Sequence, residues 1–510
     1  DEEQYGFVNY GGWLDGPGGA PTAVTGTGAV TLINSSGVEV LNYEVGEDVY
    51  VHVADVDANS DGGTIEELTV LLSSATEETG ESLILTETGM NTGIFEGSMG
   101  FDAAGGVATD GVLQVSRGDK LTALYADPAD DFGNPIEISD VAFYGVTLMS
   151  GTLYGPNTWD VASSPYLVTG DVTVDASASL TIEPGVEVRF VPLSDDQSSG
   201  QDANRSELFV YGTLTAEGTE TDNIIFTSNS EDPSSGDWYG IYLRNSNANG
   251  LLSYCEIAYA TYGVRTRELY EQTDTLSVSN NHIHDCGSGV FDEYGRVYFD
   301  IRDNLIENMS GVGISLRYSS RYGKGMIEGN TILYTSDNGI YINDCDWFVV
   351  NNNTIEGGSG WGILLESIND VQVIGDNIQN KYGGIYFSSV ARALVSESVV
   401  TQNDYRAFEL NYSNVVIENS HISENGAGVW IQTNFENPTV DTLRYNVITN
   451  NGEFGIRNQD YGRPVVQYND LYGNGSYDFQ NNSTAWSEVD ARYNWWGQAT
   501  TDSMDLGGNP

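Results

Sequence analysis

From about residue 254 onward, short apolar runs alternate with polar turns at a steady interval. Each unit opens on Asn-x-Ile or a close variant. The anchors are Asn281-His-Ile283, Asn304-Leu-Ile306, Asn330-Thr-Ile332, Asn353-Thr-Ile355, Asn377-Ile378, Val399, Ile422, Asn446-Val-Ile448 and Asn469-Asp-Leu471, 21 to 26 residues apart. A second element, Gly before a branched apolar residue, recurs at Gly289-Val290, Gly313-Ile314, Gly339-Ile340, Gly362-Ile363, Gly384-Ile385, Gly428-Val429 and Gly455-Ile456. A period near 24 with two or three short strands per repeat marks a parallel β-solenoid, in which apolar residues stack from one turn of chain to the next. At about 4.8 Å per turn, roughly fourteen turns within residues 165–500 make a rod ~65 Å long. Asn at the turns is expected to take the left-handed backbone conformation and to stack its amide. Gly ahead of the second strand is expected to supply backbone angles closed to other residues.

Nearer the start the period falls to two. Val49-Tyr-Val-His-Val-Ala-Asp55, Leu68-Thr-Val-Leu-Leu72, Ser82-Leu-Ile-Leu-Thr86 and Leu121-Thr-Ala-Leu-Tyr125 alternate apolar and polar positions between Gly, Asn and Asp turns. About seven such strands between residues 30 and 147 predict a β-sandwich. Residues 1–24 are Gly-rich, carry Tyr5, Phe7, Tyr10 and Trp13, and read as a terminal segment and linker through Gly16-Pro-Gly-Gly-Ala-Pro21.

With these motifs in place, residues 150–500 resemble the right-handed parallel β-helix repeat proteins of the pectate-lyase-like superfold. The entry segment Tyr166-Leu-Val-Thr-Gly-Asp-Val-Thr-Val174, followed by Leu180-Thr-Ile-Glu-Pro-Gly-Val186, is similar to the first coils of secreted members, and Asn494-Trp-Trp-Gly497 recurs there. Val49–Tyr125, with Asp55-x-Asp57-x-Asn59 and Tyr125-Ala-Asp-Pro128, resembles an Ig-like sandwich module of prokaryotic surface proteins. The expected fold is all-β: an exit or assembly segment at 1–24, an Ig-like β-sandwich at 25–149, and a right-handed parallel β-helix with capping coils at 150–510. The resemblance implies a secreted protein but fixes no activity, because the superfold hosts lyases, hydrolases, adhesins and spacers. In such proteins an exit segment resembling Val-Asn-Tyr-x-x-Trp-Leu follows the Trp-Trp motif. Here its counterpart, Val8–Leu14, stands at the opposite end. That order implies one period of a longer assembly, in which Tyr5, Phe7, Tyr10 and Trp13, with Trp495 and Trp496, join neighbouring copies.

Charge narrows the partners. With 19 basic and 74 acidic residues the formal net charge is −55, which argues against nucleic acid and anionic membrane. No apolar run is long enough to span a bilayer. Three cysteines (Cys255, Cys286, Cys345) cannot build a disulfide framework and read as small buried side chains. The chain opens on acid without a signal peptide, while a composition poor in lysine and rich in Asn, Gly, Ser, Thr and Tyr reads as extracellular or cell-surface.

Three groups carry candidate chemistry. Asp55, Asp57, Asn59 and Asp61 alternate like the first half of a calcium loop, with Glu66 at the twelfth position and Glu87 and Asp127 as further oxygens. Ser60 replaces the expected Gly and the flanks are strands, so this is not an EF-hand. His282-x-His284-x-Cys286 shares a face if extended, but lacks a fourth ligand and reads as structural. No catalytic residues are assigned. The nearest group is Asp344, Asp346 and Asp370, with Lys381, Arg392 and Arg406 in later coils. The residue after Gly-Ile should point outward, giving a surface stripe of Phe291, Ser315, Tyr341, Leu364, Tyr386, Glu409 and Trp430, suited to a glycan or a neighbouring chain. The leading expectation is an extracellular structural protein, a subunit of a surface fibre, sheath or S-layer assembled head-to-tail, with calcium as its cofactor and copies of itself as partners. The alternative is a polysaccharide lyase or hydrolase, or a glycan-binding adhesin, using the solenoid face.

Overall fold

The computed structural model describes residues 26–103, 110–244, 248–268, 275–294, 298–317, 324–433, 439–483, 489–498 and 502. The chain divides into two compact units, Asp1–Val146 and Thr147–Pro510.

In the first unit, strict alternation makes each strand two-faced. Val49, Val51 and Val53 are buried while Tyr50 and His52 are partly exposed. Eight strands form one sheet in the order Ala29–Ile33, Val49–Ala54, Ile94–Met99, Glu81–Glu87, Glu67–Ser74, Lys120–Asp127, Ile136–Tyr144, Asn42–Tyr43. All neighbours are antiparallel except the last pair. The sheet curls round its core of Leu72, Leu85, Phe95 and Tyr125 until its ends meet. There Tyr43 OH donates to Ile33 O (2.8 Å) and Val40 N–H to Leu32 O (3.1 Å). Two separate sheets, as in an Ig-like sandwich, are not shown. The strand Glu67–Ser74 is hydrogen-bonded along both edges and joins the halves into one ladder.

The second unit is a parallel β-solenoid of about fourteen turns. A thirteen-stranded sheet runs from Pro156–Trp159 to Val465–Gln467, and a 26-stranded sheet supplies the other two sides. One apolar cluster fills it from Trp159 to Trp496. The turns stack as the Asn-x-Ile period requires: Ile283, Ile306, Ile332, Ile355 and Ile378 pair in register. One anchor shifts. Val400, not Val399, pairs with Ile378 and Ile422 and is buried, whereas Val399 faces solvent.

Two further expectations are corrected by geometry. The left-handed conformation and the stacked amide belong to neighbouring residues. Asn280, Asp303 and Asn352 have positive φ (57°, 53° and 54°), while the next residue turns its amide inward. Asn281 Nδ2 donates to Asn304 Oδ1 (3.0 Å), Asn304 to Asn330 (2.8 Å), Asn330 to Asn353 (2.9 Å) and Asn353 to Asp376 Oδ1 (2.8 Å). A second file runs through Asn403, Asn425, Asn451 and Asn474. The Gly of the Gly-Ile element is needed for space rather than for φ. A Cβ on Gly289 would lie 2.5 Å from Gly313 O, and one on Gly428 2.0 Å from Gly455 O. Adjacent coils pass too closely there for any side chain.

Candidate functional site

Parallel register lines up equivalent positions of successive coils, so a single outward position becomes a column. One column on the Gly-Ile side runs Phe209, Tyr242, Arg265, Phe291, Ser315, Tyr341, Leu364, Tyr386, Glu409, Trp430 and Arg457. Two residues on, a polar column runs Arg244, Arg267, Glu293, Arg317, Asn343, Glu366, Ser388, Asn411 and Gln432. The two columns are bonded to each other. Tyr341 OH donates to Glu366 Oε2 (2.7 Å), and Asn411 Nδ2 to Tyr386 OH (3.1 Å) and Glu409 Oε1 (3.0 Å). Arg317 lies 4.8 Å from the Tyr341 ring, and Arg406 lies 3.9 Å from the Trp430 ring.

The aromatic column has two parts. From Tyr341 to Trp430 its members are half-buried. Toward the first coils Phe209, Tyr242, Phe291 and Ser315 are buried, contrary to the exposure expected for Phe291 and Ser315. There Phe209, Tyr239 and Tyr242 form a small second core outside the solenoid, flanked by Tyr211 and Tyr262. Arg265 is laid over it, 4.7 to 5.8 Å from Tyr239, Tyr242, Tyr262 and Phe291, and is held by Glu293 (3.0 Å). Burial pulls its guanidinium below the usual range, while Glu293 opposes that shift.

At this end lies a pocket of about 230 Å³ lined by Asp171, Ser199, Gln201, Phe209, Tyr211 and Arg244. It exists because residues 191–206, inserted between two coil strands, fold back over Asp171. Asp195 Oδ1 accepts the N–H groups of Asp171 (3.2 Å) and Gln197 (3.0 Å), and its Oδ2 that of Ser199 (2.6 Å). Ser199 OH donates to Asp171 Oδ2 (2.6 Å) and Glu207 N–H to Asp171 Oδ1 (3.1 Å). Only Gly fits at 200, where φ is 70° and a Cβ would stand 2.0 Å from Glu207 Oε2 and 2.6 Å from Asp171 Oδ2. Glu207 is fully buried beneath this loop, and burial, reinforced by Asp171, pushes its carboxyl up to about 8. Asp171 is raised by burial too, with Asp195 adding to the effect. Arg244 pairs with Glu268 (3.2 Å) and holds its charge. The pocket thus joins a carboxyl of raised proton affinity, a phenol and a guanidinium.

The sequence candidates fall elsewhere. Asp55 is buried; its Oδ1 accepts the N–H groups of Asp57 (2.8 Å) and Ala58 (3.3 Å), and its Oδ2 the Tyr125 hydroxyl (2.5 Å). Glu87 accepts from Thr92 and Gly93, Asp127 from Gly28 and Ala129, Asp61 from Gly63, and Glu66 from Asp61 and Ser60. These carboxylates pin loops. Asp57 Oδ2, Asn59 Oδ1 and Glu66 Oε2 are buried acceptors without a donor. Among the described residues no three His, Cys, Asp or Glu side chains are grouped to hold a metal. The residues His282, His284 and Cys286 do not share a face. Asp285 takes a positive φ (51°) and turns Cys286 into the core, while His284 bonds Glu256 and Asp285 and is raised above the usual imidazole range chiefly by Glu256. The acidic group at 344–370 does not meet its basic partners as one site: Arg392 pairs with Asp370 on the surface, Lys381 is buried, and Arg406 stands on the aromatic face. Trp496 is buried as the last member of the core, and Trp495 is exposed against Tyr472. Tyr5, Phe7, Tyr10 and Trp13 lie outside the described residues.

The pocket and the arginines of this face other than Arg406 were missed by sequence reasoning, although both leave traces. Leu180 and Leu214, register partners, stand far more than one period apart, which marks an insertion. Arg267 and Arg317 recur three residues after Val264 and Ile314.

Two family models match the solenoid: "Right handed beta helix region" over residues 320–442 and "Pectate-lyase like beta helix domain" over residues 152–268. No curated protein matches the chain. Among solved structures, the A-module of mannuronan C-5 epimerase AlgE6 from Azotobacter vinelandii is 14% identical with a TM-score of 0.46, covering 62% of this chain and 89% of that one. The periplasmic alginate epimerase AlgG is 13% identical with a TM-score of 0.41, covering 65% and 77%. The catalytic domain of a GH87 α-1,3-glucanase is 11% identical with a TM-score of 0.25, covering 88% and 90%. At such identities the likeness is one of fold. These structures are carbohydrate-active enzymes, and they overturn the expectation of a fibre, sheath or S-layer subunit. The solenoid matches right-handed β-helix domains in both its earlier and its later coils.

Proposed function

We propose that the chain binds an acidic polysaccharide along the arginine- and aromatic-bearing face of its solenoid and modifies it at the Asp171 pocket. The observation that carries this reading is the pair of register columns from Arg244 to Trp430. Aromatic rings present apolar faces to sugar rings and guanidinium planes match carboxylates. Six of the chain's 19 basic residues (Arg244, Arg265, Arg267, Arg317, Arg406 and Arg457) stand on this one face of a chain with net charge −55. Arg244 and Arg267 pair with Glu268, Arg265 with Glu293 and Arg406 with Glu409, whereas among the described residues Arg317 and Arg457 meet rings, Ser315 and Gln480, and these two cations on a strongly acidic chain suit an anionic ligand.

The pocket supplies the chemistry. Asp171, with Glu207 behind it, retains a proton nearer neutrality than an ordinary carboxyl, so it can donate or accept one at a sugar carbon or a glycosidic oxygen. Arg244 can hold a uronate carboxylate and stabilise charge that develops on it, and the Tyr211 phenol faces the same space. An extracellular setting belongs to this proposal, because polymeric substrates of that size lie outside the cell. The curled sheet of the first unit we read as an Ig-like accessory module.

The test is incubation with alginate, polygalacturonate and neutral dextran. Binding is read by affinity electrophoresis. Turnover is read by absorbance of unsaturated ends, by reducing ends and by NMR of the uronate epimers. Retardation by an acidic polymer, with product from one of them, is the expected result. Asp171→Asn should abolish turnover and leave retardation in place. Binding without turnover moves the chain to the adhesin class, and no retardation by either acidic polymer overturns the reading.

A further inference from the structure

Five coils from Arg244, four aromatic side chains from three successive coils meet on the outside of the solenoid. Trp361 opens the strand Trp361–Glu366, and its register partner in the next coil is Gly383. A Cβ on Gly383 would stand 2.5 Å from the indole, so the ring lies against bare backbone. Around it are Tyr386 (5.3 Å between ring centres), Tyr382 (6.0 Å) and Tyr405 (6.1 Å). Tyr382 and Tyr405 stack on each other, 5.0 Å apart with planes 19° from parallel. Tyr382 is 46% exposed. None of the four rings belongs to the solenoid core. At the edge of the group Arg406 lies 4.4 Å from the Tyr405 ring and is paired with Glu409.

Rings gathered on a surface, with no core to fill, leave apolar area in water unless something covers it. Two features identify the cover. Tyr386 belongs both to this group and to the aromatic column, so the group is continuous with the proposed polysaccharide face. Arg406 also sets a cation beside the rings, the pairing of apolar platform and positive charge that a uronate ring presents in reverse. We infer that Trp361, Tyr382, Tyr386 and Tyr405 form a remote sugar-stacking subsite that grips the polysaccharide five coils beyond Arg244 and seven beyond Asp171, so that ligand length governs affinity. This rests on the reading of the face given above. Five coil spacings are about 24 Å, and an extended sugar chain advances by about the same ~5 Å per ring as the solenoid does per coil. A ligand therefore needs about five rings to reach from Arg244 to the platform, and about seven from Asp171.

The experiment measures dissociation constants by calorimetry for size-defined oligouronates, from dimers to decamers, on the full chain. In the wild type, affinity should step up once the oligomer spans the two sites. Trp361→Ala and Tyr382→Ala should each weaken long oligomers by about tenfold and leave short ones unchanged. Gly383→Ala, which tilts the indole, should act in the same direction. Tyr382 is half-exposed, so its variant also serves as the folding control, checked by an unchanged melting temperature. Wild-type affinity that rises with length while both aromatic variants keep the same length profile overturns the subsite and leaves the reading of the face intact. Failure of the wild type to bind any acidic oligomer or polymer overturns that reading itself.

Discussion

Asp376 occupies a place that its neighbours give to asparagine. In the file through Asn281, Asn304, Asn330 and Asn353, each amide nitrogen serves two acceptors: the next amide oxygen, and a carbonyl of the preceding coil at Leu252, Val278, Ile301 and Ile327. Asp376 continues the acceptor half of this pattern, since its Oδ1 takes the N–H and Nδ2 of Asn353 at 2.8 Å each. Its Oδ2 stands where a donor belongs and has no partner. Burial therefore favours the protonated acid and pushes the carboxyl up to about 7. Between the ordinary value of 3.8 and about 7 the folded chain holds a proton that the unfolded chain releases, so stability falls as pH rises through that window. Asp376→Asn restores the donor and removes this dependence. It should stabilise the solenoid by ~2–4 kcal/mol at pH 8 and by little at pH 4, read as urea midpoints at the two pH values. Lys381 works in the opposite sense. Its Nζ donates to Thr335 Oγ1 (2.8 Å) and to Asp337 O (3.0 Å), two coils away, and burial pulls it down to about 8. Its desolvation cost is relieved as pH rises from about 8 toward 10.5. In Lys381→Met the gain in stability over that upper window should vanish, a difference visible in melting curves at pH 7.5 and 10.

At the scale of the coil, the Gly-Ile element fixes how closely turns can approach. Gly428→Ala would place a methyl 2.0 Å from a backbone carbonyl in the next coil, which cannot move without opening the ladder. A loss of about 2–4 kcal/mol is expected. Gly289→Ala, at 2.5 Å, should cost less, and the ranking is checked by guanidinium unfolding of the two variants. This element was legible in the sequence because every coil sees the same neighbours, so one constraint is written seven times. Its reason was not legible: close approach and left-handed backbone both select glycine, and the two are distinguished only by coordinates. The shift from Val399 to Val400 has a similar origin. Both are valine, so the apolar pattern cannot choose between them, while the register with Ile378 does. The pocket was the least legible part. Asp171 meets Glu207 across 36 residues because an inserted loop folds back, a contact that no period announces. In the first unit the strands were readable from alternation, but their pairing was not, since a strand bonded on both edges looks the same in sequence as one at a sheet border.

Across the whole molecule, charge acts in two opposed ways, and salt should separate them. A formal charge of −55 repels itself, and screening relieves that repulsion in the folded chain more than in the expanded one. The arginine columns work against this background, since their field is local and is felt most by a carboxylate lying along the face. Raising salt from about 0.05 M to about 0.5 M, which shortens the Debye length from ~14 Å to ~4 Å, should therefore raise the melting temperature by several degrees and weaken binding of an acidic polysaccharide. Aromatic stacking is far less sensitive to ions. Long oligouronates that also reach Trp361 and Tyr382 should keep more of their affinity in high salt than short ones held by the arginines alone. Arg317 strengthens the argument: among the described residues it meets rings and the Ser315 hydroxyl rather than a carboxylate, so its charge is available to a ligand. Arg317→Gln should flatten the salt dependence of binding while leaving that of the melting temperature in place. A variant that shifted both curves together would show that the face contributes to folding rather than to recognition, so parallel measurement of both quantities on one salt series decides the point.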